Sequence, residues 1–380
     1  MKRLRTIAIV FLIVLPLDIG VAQFCRANCG FWKNTYPPGD HRVRSEDYHH
    51  GLAPNRWVTE AWGLSRYRYA TNSLGFKDSE PRTVEPKGGG ARVLFLGDSF
   101  TEGKGFAFAE TFVGLVASEL AGRGIEVLNG AVDSYSPVIY RLKVKHLLEK
   151  VGLRFDVLVV FLDVSDIHNE AREYPLDAEG RLIVPVEERE PWLASLRFLR
   201  DNSAAARLMA VAYDHLSLLA RIAWTRVKIS WALEKSLFDV DDMDFWIYLT
   251  TGHRGSAWTF DDARWRDYGA LGRQRAAAQM DALWSLLQDR GIPLVLAVYP
   301  WPDQLFNDPR APRHQGFWRQ WSEDRGVEFI SLFPAFTEGN PRDVLQRYFI
   351  PYDHHWNAEG HQLVARIFLE QFRPPSARER

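Results

Sequence analysis

Residues that could together activate a nucleophile occur in two short stretches of the sequence. Ser99 lies in "FLGDSFT", directly after an apolar run, and Asp353, His354 and His355 occur together in "PYDHHWNAEGH". A serine hydroxyl is a weak nucleophile unless a base takes its proton and an acid orients that base. An Asp-x-His spacing lets the carboxylate of Asp353 hold the Nδ1–H of His355 while Nε2 faces outward. The two stretches therefore predict that Ser99, His355 and Asp353 are catalytic.

Each stretch also has a plainer interpretation. A glycine, an aspartate and a serine after a strand are common in ordinary turns, so Ser99 taken alone is as readily a turn residue. Clustered histidines and carboxylates also occur in metal sites. No third ligand at suitable spacing is evident, however, and we expect neither a metal nor any other cofactor. Of the two adjacent histidines, we choose His355 over His354 as the base.

The elements that must position these residues are visible as an alternation of strands and helices. Short apolar runs, typical of strands buried on both faces, alternate with amphipathic helices from Arg92 onward. The runs lie at 92–96, 125–129, 155–162, 292–299 and 327–332. This alternation predicts a three-layer α/β/α fold with a five-stranded parallel sheet. Ligands bind at the carboxyl ends of such strands, which is where Ser99 is expected to lie.

Two further strand ends carry residues that could stabilise an oxyanion. The second predicted strand is followed by "NGAVDSYSP", in which the backbone N–H of Gly130 could approach a developing negative charge. The third is followed by "DVSDIHNE", an unusually polar segment that contains Ser165 and Asn169. Either segment can equally be an ordinary loop.

Together these motifs resemble the SGNH hydrolase superfamily, also called the GDSL-type esterases and lipases. "GDSF" resembles its nucleophile block, "NGAVDSYS" its glycine block and "DHHWNAEGH" its last block. The resemblance covers about 92–170 and 290–372 and implies a flavodoxin-like fold. It also implies that Ser99 is the nucleophile and that the N–H groups of Ser99 and Gly130 bind the oxyanion.

Two departures from the family pattern affect the predicted site. Ser165 stands where the family has an oxyanion-binding asparagine, and Asn169 is the nearby alternative. The last block reads Asp-x-His-Trp, which resembles the SGNH-like proteins of exopolysaccharide O-acetylation. The order of motifs along the chain differs in those proteins, so this second likeness concerns the site alone.

The N-terminus has the plan of a secretory signal. A basic "MKRLR" precedes the apolar "TIAIVFLIVLPL", and small residues follow at Gly20 and Ala22. We expect export to the periplasm or another extracytoplasmic space. Whether the signal is cleaved or residues 6–22 attach the chain to the inner membrane stays open. Cys25 and Cys29, the two cysteines of the chain, could pair with each other or between chains.

The chain is expected to divide into three parts. Residues 1–22 are the signal or anchor, 23–90 a loop-and-hairpin extension, and 91–375 the SGNH hydrolase domain. A helical insertion at about 171–262 interrupts that domain. The insertion is interpreted either as a lid over the site or as a helix pair that only packs.

Composition narrows the range of partners. The chain has 46% hydrophobic and 25% charged residues and a net charge of −1, which gives no electrostatic footprint for nucleic acid. The expected export and the resemblance of the motifs, not the composition, imply a serine esterase that acts on ester groups, O-acetyl above all, of a cell-surface or extracellular carbohydrate. Two alternatives stay open: an O-acetyltransferase that uses the same site on exopolysaccharide, and a non-catalytic carbohydrate-binding or assembly module.

Overall fold

The computed structural model describes residues 2–28, 41–62, 65–177, 182–183, 198–199, 202–232, 241–308 and 312–374. The chain forms two compact units. The first comprises Met1–Asp40 with Pro185–Asp241, and the second comprises His41–Val184 with Asp242–Arg380. Both motifs singled out in the sequence belong to the second unit.

The strands of the described chain all lie in the second unit. They are β1 (Arg42–Ser45), β2 (His49–Leu52), β3 (Trp57–Trp62), β4 (Ser65–Thr71), β5 (Lys77–Asp78), β6 (Ala91–Leu96), β7 (Ile125–Asn129), β8 (Val157–Leu162), β9 (Leu294–Val298) and β10 (Glu328–Ser331).

The α-helices of the described chain lie in both units. They are α1 (Lys2–Asn28), α2 (Ser99–Glu102), α3 (Phe112–Ala121), α4 (Pro137–His146), α5 (Asp166–Arg172), α6 (Ala204–Ala232), α7 (Asp242–Thr250), α8 (Asp262–Arg264), α9 (Ala270–Gln288), α10 (Pro302–Asn307), α11 (Arg313–Glu323), α12 (Phe333–Thr337), α13 (Pro341–Tyr348) and α14 (Ala358–Gln371). Short 3₁₀ or π turns occupy Phe108–Glu110, Leu147–Val151, Ala257–Thr259 and Trp265–Gly269.

The main sheet has the strand order β10-β9-β8-β6-β7-β5-β4-β3. Strands β6 to β10 pair in parallel, and numbering them one to five gives the order 2-1-3-4-5 of flavodoxin-like folds. The α/β fold is confirmed. The expected count of five strands needs correction, because the antiparallel β3, β4 and β5 extend the sheet to eight.

The two faces of the central strands pack under different helices. Along β6, Leu94 and Leu96 belong to one hydrophobic cluster while Val93 and Phe95 belong to the other, as the two-residue period of a strand requires. The first cluster includes side chains of α4, α5, α9 and α11, and the second includes side chains of α3, α13 and α14. Helices on both faces of the sheet confirm the three layers.

The first unit contains two long helices in its described part. Helices α1 and α6 meet where Ala22 and Ala204 are buried together, and the N–H of Ala205 donates to Asp18 Oδ1 at 2.9 Å. The predicted insertion at about 171–262 is thus divided, since Asp242 onward belongs to the second unit. No helix in the part of the chain described is long and apolar enough to cross a membrane. Cys29 lies outside the described residues.

Candidate active site

Ser99 begins helix α2, three residues beyond the end of β6. Gly97 is required in the turn between them because a Cβ there would lie 2.2 Å from Thr101 Oγ1 and 3.1 Å from the carbonyl oxygen of Phe161. Asp98 caps the helix, accepting the Phe100 N–H at 3.0 Å. The tight turn sets the Ser99 side chain at the carboxyl end of the sheet, where it is only 6% exposed.

Ser99, His355 and Asp353 form a continuous chain of hydrogen bonds. Ser99 Oγ lies 2.8 Å from His355 Nε2, and His355 Nδ1 lies 2.6 Å from Asp353 Oδ1. The same carboxylate oxygen also accepts the backbone N–H of His355 at 2.8 Å. Burial by itself raises the pKa of Asp353, but the charge and hydrogen bond of the facing imidazole hold that pKa below its ordinary value. An ionised carboxylate therefore orients the imidazole.

The segment that carries Asp353 and His355 is fixed on both sides. Trp356 is fully buried, and its ring centroid lies 4.8 Å from those of Phe100 and Tyr299 in edge-to-face geometry. Asn357 caps α14, its side-chain oxygen accepting the Gly360 N–H at 3.0 Å. These contacts hold the imidazole in place against the nucleophile helix.

His354 points to a different neighbour. Its ring stacks on Trp301 with centroids 4.4 Å apart, and burial, followed by the charge of His355, lowers its pKa well below the ordinary value. Asp353, His354 and His355 are the one group in the described chain whose ligand atoms lie close enough for a metal, within 4.8 Å. Both ring nitrogens of His355 already have partners, so a metal there would displace the hydrogen-bond chain to Ser99.

Two of the predicted oxyanion donors, Gly130 and Ser165, have hydrogen-bond partners elsewhere in the structure. The Gly130 N–H donates to the Phe95 carbonyl at 2.9 Å, continuing the ladder between β6 and β7. The Ser165 hydroxyl and N–H both donate to Asp163 Oδ1, at 2.5 and 2.6 Å. Neither group is free to bind an oxyanion in this arrangement.

Two other predicted donors, the Ser99 N–H and the Asn169 side chain, remain available to bind an oxyanion. The Ser99 N–H stands at the first position of a helix, where no intrahelical partner exists. Asn169 lies one turn beyond Ser165 in α5 and is half-buried. Among the described residues its side-chain amide has no hydrogen-bond partner. In the second block, Ser134 replaces the family's second glycine and adopts a left-handed φ of 65°.

Several residues that support the site escaped the sequence-based interpretation. Glu102, at the end of α2, accepts hydrogen bonds from Arg42 Nη1 and Nη2 at 3.1 and 2.6 Å and from the Asp133 N–H at 2.6 Å. Its pKa is below the ordinary value, because the charges and hydrogen bonds around it outweigh the opposing effect of burial. The Trp62 ring of β3 is edge-on to the His355 ring, with the two centroids 5.2 Å apart. Lys104 Nζ lies 4.4 Å from the centroid of the Trp62 ring. The N-terminal extension thus reaches the site.

Comparisons with known proteins give structural likeness alone. No protein-family model and no curated protein matches the chain. A catalytic mutant of Axe2, an acetylxylan esterase from Geobacillus stearothermophilus, is 14% identical with a TM-score of 0.39, over 78% of this chain and 100% of that one. A putative acylhydrolase from Bacteroides fragilis is 10% identical with a TM-score of 0.37, over 76% and 88%. A GDSL-like lipase from Bacteroides thetaiotaomicron is 10% identical with a TM-score of 0.35, over 73% and 86%.

Proposed function

We propose that this chain is a serine esterase of the SGNH type. The observation that carries the proposal is the unbroken chain from Ser99 Oγ through both nitrogens of His355 to Asp353. An ordinary turn serine needs neither a buried imidazole at hydrogen-bond distance nor a carboxylate behind that imidazole. Both are parts of the machinery that activates a nucleophilic hydroxyl.

The proposed reaction has two halves. Ser99 Oγ attacks the ester carbonyl carbon while its proton moves to His355 Nε2, and the carbonyl oxygen becomes an oxyanion near the Ser99 N–H. His355 then gives the proton to the departing alkoxide, leaving an acyl-enzyme. A water molecule attacks the acyl carbon as His355 takes its proton. Collapse returns that proton to Ser99 and releases the acid.

We further propose that the ester is an O-acetyl group on a carbohydrate. Two partly accessible aromatic side chains are associated with the catalytic histidine segment: Trp62, half-buried, is edge-on to His355, and Tyr352, 37% exposed, directly precedes Asp353. Flat apolar rings with a polar edge suit sugar faces. The export predicted from the N-terminal sequence supports a substrate among surface or extracellular glycans.

The test of the proposed activity is hydrolysis of p-nitrophenyl acetate. Ser99→Ala should lower kcat by at least about 10³-fold, whereas Ser285→Ala, on the exposed side of α9, should match wild type. Equal turnover by Ser99→Ala and wild type contradicts the triad. A wild type without turnover that still binds acetylated glycan indicates the non-catalytic module. Loss of activity with a chelator points to a metal hydrolase.

Transfer of the acetyl group to a sugar hydroxyl is the second candidate. The observation in its favour is enclosure, since Ser99 is 6% and His355 is 4% exposed, and exclusion of water protects an acyl-enzyme from hydrolysis. The two outcomes separate when an oligosaccharide acceptor is added with the acetyl donor. Acetylated acceptor recovered by mass spectrometry supports transfer, and free acetate alone supports hydrolysis.

We also propose that the chain is exported and that its N-terminal segment contacts the membrane. Large apolar side chains of α1 are exposed, among them Ile13, Leu17 and Phe24 at 56, 63 and 64%. Fractionation of cells that express the full chain tests this. Recovery of the chain in membranes supports attachment by the N-terminal segment. Recovery of a shortened, soluble exported form supports cleavage of that segment. Full-length protein confined to the cytoplasm contradicts export.

A further inference from the structure

A tyrosine links the nucleophile turn to the loop after β8. Tyr299 Oη lies 3.0 Å from Asp98 Oδ1 and 2.7 Å from Asp163 Oδ2. All three side chains are buried, with Asp98 4% exposed and the other two 0%. Asp98 directly precedes Ser99, and its Oδ2 lies 3.3 Å from Ser99 Oγ. The bridge therefore ends beside the nucleophile.

Counting hydrogens shows that this bridge holds an extra proton. Two short contacts between oxygen atoms need two hydrogens, and the Tyr299 hydroxyl supplies one. The second must belong to one of the two carboxyl groups. Two buried carboxylates that share one phenol are not both ionised, because their charges repel and neither is solvated.

The donors around each carboxyl group decide where the proton lies. Asp163 accepts three hydrogen bonds besides the one from Tyr299: the N–H and hydroxyl of Ser165 at 2.6 and 2.5 Å and Trp301 Nε1 at 2.6 Å. Besides the Tyr299 contact, Asp98 has two donors at longer distances, the Phe100 N–H at 3.0 Å and the Ser99 hydroxyl at 3.3 Å. A charged carboxylate is favoured where more donors face it. We infer that Asp98 is the neutral partner, donating to Tyr299, and that Tyr299 donates to an ionised Asp163.

The groups around Asp98 agree with this assignment. Acidic groups face it from the neighbouring strand ends, namely Asp163, Asp166 and Asp133, together with the phenols of Tyr140 and Tyr299. Within the described chain no lysine or arginine forms an ion pair with Asp98. Burial first, and then the charge of Asp163, raises the pKa of Asp98 well above its ordinary value. Burial also raises the pKa of Asp163, but there the hydrogen bonds from Ser165, Tyr299 and Trp301 oppose it.

A neutral Asp98 has a consequence for the reaction, which rests on the proposed function. The Ser99 hydroxyl has two acceptors within reach, His355 Nε2 at 2.8 Å and Asp98 Oδ2 at 3.3 Å. An ionised Asp98 would compete with the imidazole for that hydrogen and repel the oxyanion. A neutral carboxyl group leaves the hydroxyl directed at His355. Asp98 and Tyr299 are thus positioning residues for the nucleophile.

Infrared difference spectroscopy tests the proton's location without any substrate. The spectrum of wild type minus Asp98→Asn at neutral pH should contain the C=O stretch of an un-ionised carboxylic acid. The spectrum of wild type minus Asp163→Asn should contain the bands of a carboxylate. Carboxylate bands in the Asp98 spectrum, or an acid band in the Asp163 spectrum, overturn the assignment. Because no turnover is involved, this result is independent of the proposed esterase activity.

Kinetics of Tyr299→Phe test the positioning role and provide a variant that keeps the ring. Loss of the hydroxyl should lower kcat by about 10- to 100-fold with KM within about twofold, because the nucleophile is misdirected rather than the substrate lost. Tyr268→Phe, which removes a hydroxyl bonded instead to the Arg254 carbonyl, is the matched control and should match wild type. A wild-type kcat in Tyr299→Phe overturns the positioning role.

Discussion

Ser99 Oγ and His355 Nε2 lie 2.8 Å apart although 256 positions separate the two residues in the chain. The distance falls within the range for proton transfer between a nucleophile and its base. Parallel strands bring the two together, because Ser99 follows the end of β6 while the His355 segment returns to the same edge before α14. The catalytic account depends on this contact.

The orienting carboxylate gives the first prediction. Asp353→Asn should lower kcat for p-nitrophenyl acetate by about 10³- to 10⁴-fold with little change in KM, because the amide no longer holds the Nδ1–H tautomer of His355. Steady-state kinetics checks this, with Asp281→Asn, on α9, as an acid-to-amide control. An Asp353→Asn variant within a few-fold of wild type contradicts the orienting role.

The adjacent histidines give a second prediction with an internal control. His355→Phe should lower kcat by at least about 10³-fold, because the general base is lost. His354→Phe keeps an aromatic ring against Trp301, where the native ring centroids are 4.4 Å apart, and should stay within about tenfold of wild type. The reverse order of effects, measured by the same ester assay, would make His354 the base.

Gly97 gives a prediction about folding near the nucleophile. Gly97→Ala places a Cβ 2.2 Å from Thr101 Oγ1 and 3.1 Å from the Phe161 carbonyl, so the turn must move. We expect about 1–3 kcal/mol of lost stability, the usual cost of overpacking a core, together with reduced activity. Gly122→Ala, where the nearest atom is an ordinary 3.5 Å away, is the control in urea unfolding. Equal stability of Gly97→Ala and wild type excludes the tight turn.

Glu170 gives a prediction about pH. Burial raises its pKa to about 7, and its carboxyl accepts bonds from Ser136 Oγ and the Val138 N–H, both at 2.7 Å. Folding favours the neutral form, so this contribution is fully present below the unfolded pKa of about 4.3 and is lost as pH rises through 7. Glu170→Gln, which cannot ionise, should gain about 1–3 kcal/mol relative to wild type between pH 5 and 8.5.

Urea unfolding of both proteins across that range measures the difference. A constant stability difference between Glu170→Gln and wild type over the range contradicts the raised pKa. Glu126→Gln, at a half-buried ion pair with Arg82 and Arg92, tests the sign, since hydrogen bonds and cation charges lower the pKa of Glu126 against the effect of burial. Relative to wild type, that variant should lose stability as pH rises from the lowered folded pKa to the unfolded value of about 4.3, and the loss should then stay constant from pH 5 to 8.5.

The parallel core could be predicted because its strands are nearly continuous apolar runs. Strands β6 and β8 are buried on both faces, and such strands carry their signal in composition alone. A hairpin is expected within 23–90, but the sequence does not indicate that it joins the main sheet. In β4, buried Tyr67 and Tyr69 flank exposed Arg68, a two-residue alternation that an aromatic- and arginine-rich segment conceals when only aliphatic residues are counted as apolar.

The contacts among the site residues could not be predicted from the sequence and are visible only in the three-dimensional structure. Ser99, Asp353 and His355 could be named from their local motifs, although only Ser99 follows a strand, β6, while Asp353 and His355 lie between α13 and α14. The commitment of the Gly130 N–H to Phe95 depends on the register between β6 and β7, which no local motif records. The bridge made by Tyr299 likewise depends on three strands being neighbours in the sheet.

The measurement that tests the central claim most directly is covalent labelling with a fluorophosphonate, which reacts with activated serines. Intact-mass and peptide analysis should find one adduct, on Ser99, absent from Ser99→Ala and formed far more slowly in His355→Phe. Wild type without an adduct, an adduct on another serine, or equal labelling rates in wild type and His355→Phe would contradict the account of Ser99 as a nucleophile activated by His355.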